Sequence, residues 1–133
     1  KRVNDTHGHL FGDQVLREVT ETLSMSLRQE DVLGRYGGEE FLVIMPGADT
    51  PVPERVAERV CKAVARADIG ASADGSRGPA RTLRATLSIG VATFSGGRVH
   101  DPAGLIRRAD ENLYTAKRLG KNRVCSDRSA KGA

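Results

Sequence analysis

Arg35-Tyr36-Gly37-Gly38-Glu39-Glu40-Phe41 sets two adjacent carboxylates directly after two glycines, with Leu42-Val43-Ile44-Met45 behind them. Carboxylates held side by side offer oxygen-only ligands, the chemistry that suits Mg²⁺ bound together with a substrate phosphate. Gly37-Gly38 predicts a two-residue hairpin turn, because both positions can take φ > 0 without a Cβ penalty. The apolar run predicts a strand buried on both faces. Two negative charges at the mouth of such a strand cost folding energy unless a divalent cation neutralises them. The plainer alternative is an ordinary hairpin with two solvated glutamates.

Other charged residues fall near expected element ends. Arg28-Gln29-Glu30-Asp31 lies just before the hairpin. By itself this spacing says little, since charged residues often simply end helices. Lys117 and Lys121 are one turn apart near a helix end, where they complement the negative end of the helix dipole. Asp13 opens a helical pattern as an N-cap. His7, His9 and His100 show no ligand spacing, and neither do Cys61 and Cys125, which read as free thiols in a reducing compartment.

The 133 residues fit one domain able to bury a core. No apolar run approaches the roughly 18 residues needed to span a bilayer, so direct membrane contact is not expected. No signal-peptide pattern appears, and the chain opens on Lys1 rather than Met, so upstream sequence is expected. The net charge of +4 is weighted toward Arg107, Arg108, Lys117, Arg118, Lys121, Arg123, Arg128 and Lys131. With two tyrosines, three phenylalanines and no tryptophan, the chain lacks the basic-aromatic interleaving of a nucleic-acid platform. A small polyanion accounts for the excess equally well.

The elements that must position these residues follow from periodicity. Residues 1–8 read as the end of a short helix, with Gly8 and Gly12 as breakers. Val15, Leu16, Val19, Leu23 and Leu27 then predict a helix from Asp13 to Arg28. Val32–Tyr36 and Phe41–Met45 make the hairpin. Pro51 and Pro53 open a second helix, lined by Val56, Val60 and Val64 to about Ala67. Residues 68–80 read as loop. Residues 81–94 alternate as a strand, with Leu83, Ala85, Leu87, Ile89 and Val91 on one face. Asp101-Pro102 predicts an N-cap with proline at N1 of a third helix, which carries Leu105, Ile106, Ala109 and Leu113 and runs to about Leu119. Gly120 sits where a C′ glycine belongs. Arg123-Val124-Cys125 predicts a last strand, and 126–133 a disordered tail. A hairpin inside a helix–strand alternation predicts an α+β sandwich with a mixed or antiparallel sheet.

Taken together, Lys1-Arg2-Val3-Asn4-Asp5, Gly8-His9, Gly12-Asp13, Arg35 to Phe41, Leu87-Ser88-Ile89-Gly90-Val91, Ala109 to Lys117 and Gly120-Lys121-Asn122-Arg123 closely resemble the GGDEF-domain diguanylate cyclases, in a GGEEF variant. The match runs from Lys1 to about Val124. The resemblance implies a ferredoxin-like core shared with polymerase palms and nucleotidyl cyclases, with a mainly antiparallel sheet flanked by helices, over residues 1–125. It implies condensation of two GTP into cyclic di-GMP and two pyrophosphates between two facing domains of a homodimer, with Mg²⁺ or Mn²⁺.

By the same resemblance, Glu39 is the metal ligand and candidate acceptor of the attacking 3′-hydroxyl proton, supported by Glu40. Lys1, Lys117 and Lys121 hold phosphates, beside Gly37 and Gly38, and Asn4 with Asp13 reads guanine. Arg28 and Asp31 match an inhibitory site for the product, to which Arg59 is a further basic contributor. Asn112, Tyr114 and Ser88 read mainly as structural. The family's first strand carries a metal-binding aspartate with an adjacent backbone carbonyl, expected just upstream of Lys1, so the domain is expected to be N-terminally truncated here. A sensor or regulatory domain upstream, a cytoplasmic location and no nucleic-acid partner are further expectations. The alternatives are a degenerate module that binds GTP or cyclic di-GMP without catalysis, and a related enzyme making another product.

Overall fold

The computed structural model describes residues 9–68, 84–94 and 101–128. Along these residues run helix α1 (His9–Ser26), strands β1 (Val32–Arg35) and β2 (Phe41–Ile44), helix α2 (Val52–Arg66), strand β3 (Ile89–Val91), helix α3 (Pro102–Arg118) and strand β4 (Val124–Ser126). The expected order of helix, hairpin, helix, strand, helix, strand holds. None of the described helices is long and apolar enough to cross a membrane.

Val15, Val19 and Leu23, spaced by four, bury one face of α1 against Val60 and Val64 of α2. Leu33 and Phe41 of the hairpin pack on this cluster, as do Ala85, Leu87 and Ile89. The alternation read in 81–94 is therefore retained from Ala85 to Ile89, but among the described residues of that stretch the strand covers only Ile89–Val91, while 81–83, with Leu83, lie outside them. The ladder begins there because Ile89 N–H donates to the Arg123 carbonyl (3.0 Å), where the last strand arrives.

Helix α1 starts upstream of the expected Asp13 cap, so Asp13 is an exposed residue inside the helix. Gly12, expected to break the pattern, is buried on the same face as Val15 and Val19. Packing of that face outweighs the ~1 kcal/mol that glycine costs a helix. The second helix matches its expected bounds, with Cys61 on its buried side. Burial pushes the Cys61 thiol above its ordinary pKa, and Lys62 offsets this only in part. The thiol stays protonated and donates to the Leu87 carbonyl at 3.4 Å.

Among the described residues the strands form two pairs, β1–β2 antiparallel and β3–β4 parallel. The hairpin is covered on one face rather than on the expected two. Val32 and Ile44, partners across the ladder, are 55% and 52% exposed. Alternate residues of a strand point to opposite faces, and the side carrying Leu33 and Phe41 is the one that meets the core.

Helix α3 is the crossover between the two parallel strands. Asp101 caps it, accepting from Gly104 N–H at 2.8 Å, with Pro102 in its first turn. Gly120 takes φ +111°, and Lys121 N–H closes the helix end onto the Ala116 carbonyl at 3.0 Å. The helix lies so close to β3 that a Cβ on Gly90 would stand 2.0 Å from the Ala109 carbonyl oxygen and 2.3 Å from Leu113 N. Asn112, 8% exposed, donates to the Val91 carbonyl (2.8 Å) and to Asp127 Oδ1 (2.9 Å), in keeping with its structural reading. Arg108 reaches Thr93 and Asp127. The first residues of the tail expected to be disordered, from Ser126, are instead held in place. Ser126 is buried in β4 and Asp127 is tied to α3, while 129–133 lie outside the described residues.

Two glycine substitutions test this contact. Gly90→Ala drives a methyl into helix backbone, which cannot swing aside as a flexible side chain can, and should cost about 3 kcal/mol or more. Gly34→Ala, in β1, meets nothing within 4 Å and should be neutral or stabilising by up to about 1 kcal/mol. Urea midpoints of the two variants measure the difference; similar midpoints would show that α3 is free to lift off β3.

Candidate functional site

The hairpin register pairs Arg35 with Phe41, and both Tyr36 N–H (2.8 Å) and Gly37 N–H (3.1 Å) donate to the Glu40 carbonyl. The reversal is therefore made by three residues, Gly37, Gly38 and Glu39, and not by the expected two. Neither glycine takes the left-handed conformation that a two-residue turn would demand. Sharing one carbonyl between two amides leaves an extra residue at the tip. The Arg35 side chain then braces it, donating from Nε to the Gly37 carbonyl (3.3 Å) and from Nη2 to the Gly38 carbonyl (2.6 Å).

Glu39 and Glu40 both stand exposed on this tip. Glu40 Oε1 accepts from Lys117 Nζ at 3.0 Å, which joins the hairpin to the last turn of α3 across 77 residues of sequence. Both side chains are nearly half exposed, 45% and 46%. Water screens such a pair, so it contributes no more than about 1 kcal/mol and exchanges readily for other partners. Among the described residues no group of three or more His, Cys, Asp or Glu could enclose a metal by itself. Two neighbouring carboxylates nevertheless fit a Mg²⁺-type ion, which is commonly held by one or two carboxylates together with substrate phosphates.

The other expected site residues are placed as follows. Lys117 is on α3, but Lys121 is not one helical turn further on. It lies beyond the helix stop, at φ 63°. Asp13 is exposed on α1. Lys1 and Asn4 fall outside the described residues.

Arg28, Asp31 and Arg59 do come together. They line one cavity of about 330 Å³ with Ser26, Met45 and Arg55, at the open end of the hairpin. Asp31 Oδ2 accepts from Arg28 N–H (2.8 Å), and Asp31 N–H donates to the Arg28 carbonyl (3.2 Å). Asp31 Oδ1 is buried without a hydrogen-bond partner among the described residues. Arg59 bridges from α2 to the Ser26 carbonyl at 2.8 Å, which holds α1 and α2 around the opening.

Sequence reasoning passed over two residues here. Arg55 adds a third guanidinium to the cavity, and its signal was its position one helical turn before Arg59. Arg35 braces the tip, and no spacing rule marks a side chain that folds back onto its own turn.

The family described as "Diguanylate cyclase, GGDEF domain" matches residues 1–123. The chain is 41% identical over 124 residues to the response regulator PleD of Caulobacter vibrioides, covering 93% of this chain and 26% of that protein. It is 40% identical over 124 residues to the diguanylate cyclase DosC of Escherichia coli, covering 93% and 25%. It thus spans about a quarter of the length of these relatives. Among solved structures, the active GGEEF domain of a diguanylate cyclase from Vibrio cholerae superposes with a TM-score of 0.80 at 30% identity, covering 93% of this chain and 73% of that one. The GGDEF domain of DgcB from Caulobacter crescentus, in complex with c-di-GMP, gives 0.77 at 32% identity, covering 92% and 68%. A family match over nearly the whole chain, joined to a shared fold, settles its membership: the chain belongs to the GGDEF-domain family of diguanylate cyclases.

Proposed function

We propose that this domain condenses two GTP into cyclic di-GMP and two pyrophosphates, with two domains facing each other and each presenting one nucleotide. The observation that carries this is the hairpin tip, where Glu39 and Glu40 stand exposed beside Lys117, a cation within 3.0 Å of Glu40. In each half-reaction the 3′-hydroxyl oxygen of one GTP bonds to the α-phosphorus of the other. The bond from that phosphorus to the bridging oxygen breaks and pyrophosphate leaves.

In this reading Glu39 accepts the hydroxyl proton and, supported by Glu40, holds a divalent cation. Mg²⁺ or Mn²⁺, when bound, supplies Lewis acidity at the hydroxyl and neutralises charge on the departing pyrophosphate. Lys117, once released from Glu40, is available to the phosphates, as is Lys121 beyond the helix end. Gly37 and Gly38 let the backbone approach the nucleotide, since an added Cβ on Gly38 would meet nothing within 4 Å. Asp13 is the acceptor that guanine offers donors to and adenine does not, working with Asn4, and Lys1 is a further phosphate contact.

Arg28, Asp31 and Arg59 are the second part of the proposal, as a product site that restrains the enzyme. The unpartnered Asp31 oxygen among guanidinium groups suits a ligand that carries both phosphate and guanine donors. A larger parent protein, with a sensor or regulatory domain pairing two such domains in the cytoplasm, completes the reading. The rival is a module that binds nucleotide without turnover, and it draws on the two-carboxylate count at the tip.

Glu40→Gln separates these readings. It keeps the side-chain shape and removes an exposed ion pair, so the melting temperature should hardly move. Cyclic di-GMP formation by the full-length protein should fall about a hundredfold or more, as expected when charge stabilisation at a reacting phosphoryl group is lost. Chromatographic analysis of nucleotide products measures this. Undiminished turnover would remove the tip from the chemistry, and a native protein that binds GTP yet yields no product would favour the rival.

Arg28→Ala tests the second site. Loss of a charge-assisted contact is worth about 1.5–3 kcal/mol, so the inhibition constant for added cyclic di-GMP should rise at least about tenfold. Inhibition of the native protein should not be competitive with GTP. Equal constants, or competitive inhibition, would place the inhibitory product at the tip.

A further inference from the structure

Arg35 ends β1, and its guanidinium folds over the turn that follows, donating to the carbonyls of Gly37 (3.3 Å) and Gly38 (2.6 Å). The peptide bonds after Gly37 and Gly38 are trans, and in a trans peptide the C=O and N–H point in opposite directions. Drawing both carbonyls to one cation therefore turns the next two amides, those of Gly38 and Glu39, to the other side of the loop. Successive amides aimed to one side form an anion-binding concavity. At Gly38 an added Cβ would meet nothing within 4 Å, so a ligand can come close to the backbone there. The guanidinium also neutralises the negative ends of two carbonyl dipoles, which would otherwise face an approaching polyanion.

We propose that Arg35 is a positioning residue, which grips the Gly37 and Gly38 carbonyls so that the Gly38 and Glu39 amides seat a phosphate group of the substrate. It acts through the backbone and does not touch the nucleotide. The substrate rests on the function proposed above, but the seat itself requires only an anion. The fork geometry is essential: a guanidinium presents fixed parallel donors to two carbonyls, whereas a lysine ammonium is a point charge on a flexible stem. Arg35→Lys should therefore fail although the charge is kept, which separates backbone positioning from simple attraction of phosphate.

The test follows the Gly38 amide by nuclear magnetic resonance in ¹⁵N-glycine-labelled full-length protein, with inorganic triphosphate as the probe. In the native protein the Gly38 resonance should shift on titration. In Arg35→Lys and Arg35→Ala the shift should be lost and the apparent affinity lowered at least tenfold. The Gly90 resonance should stay in place in every variant, which reports an intact β3–α3 contact. The KM for GTP should rise at least tenfold in Arg35→Lys, while the inhibition constant for cyclic di-GMP, read at the distant Arg28 cavity, stays constant. Native-like titration of Arg35→Lys would overturn the inference, because charge alone would then suffice. A native Gly38 amide indifferent to triphosphate would overturn it as well. A protein that binds triphosphate as described but forms no cyclic di-GMP would lose its proposed reaction and keep this seat.

Discussion

The close approach of helix α3 to Gly90 governs where the elements around it can stand. A strand residue with any side chain would hold the helix off, since the atoms facing Gly90 are the backbone at Ala109 and Leu113. Once the helix is down, Asn112 fits under it with one amide hydrogen on the Val91 carbonyl and the other on Asp127. That single buried amide joins β3, α3 and the end of β4. Lys117 follows five residues later on the same rigid helix, so its reach to Glu40 is set by a glycine far from it in sequence. The hairpin tip and the β3–α3–β4 unit are thereby brought into register.

The frame and the site differ in how tightly they are held. Orphaning a buried amide costs about 1–3 kcal/mol, and the Gly90 contact tolerates no extra atom. The Glu40–Lys117 pair is nearly half exposed and worth no more than about 1 kcal/mol. If, as proposed, the tip takes a cation at its carboxylates and a phosphate at Lys117, it benefits from that difference. Each group acts as counterion to the other until a ligand replaces it, so neither charge stands uncompensated while the frame stays still.

How much of this was legible in the residues depended on the range of the interaction. The third helix was read closely, from Asp101 at its cap to Gly120 past its end, because capping and termination are local chemistry written in adjacent residues. The first helix was misjudged at its start, since Asp13 looks like a cap and Gly12 like a breaker. A buried face that continues through Gly12 overrides both. The carboxylates were placed correctly on a hairpin tip, but the turn was one residue longer than two glycines suggest, because Arg35 reaches back to hold it. Over the described residues 84–94 the strand was over-read because alternation reports burial on one face, while a ladder needs a partner, and β4 supplies only three residues of one.

The hairpin also sets the distance between the two charged sites. Its strands pair over four residues each, a span of roughly 13 Å at about 3.3 Å per residue. Glu39 and Glu40 lie at the closed end, whereas Asp31 and Met45, which flank the two strands at the open end, line the arginine cavity. A ligand in that cavity therefore occupies the far end of the same rigid ribbon and cannot overlap one seated at the tip. Communication between them does not need a change in the ribbon itself. Arg59 ties α2 to the end of α1 at the cavity mouth, so a ligand drawing on Arg28, Arg55 and Arg59 engages both helices that carry the core. If two such domains must face each other to react, a ligand shared between two cavities need only fix their mutual orientation with the tips apart. Restraint by orientation leaves the chemistry of each tip untouched, which is consistent with a cavity built on separate residues from those at the turn.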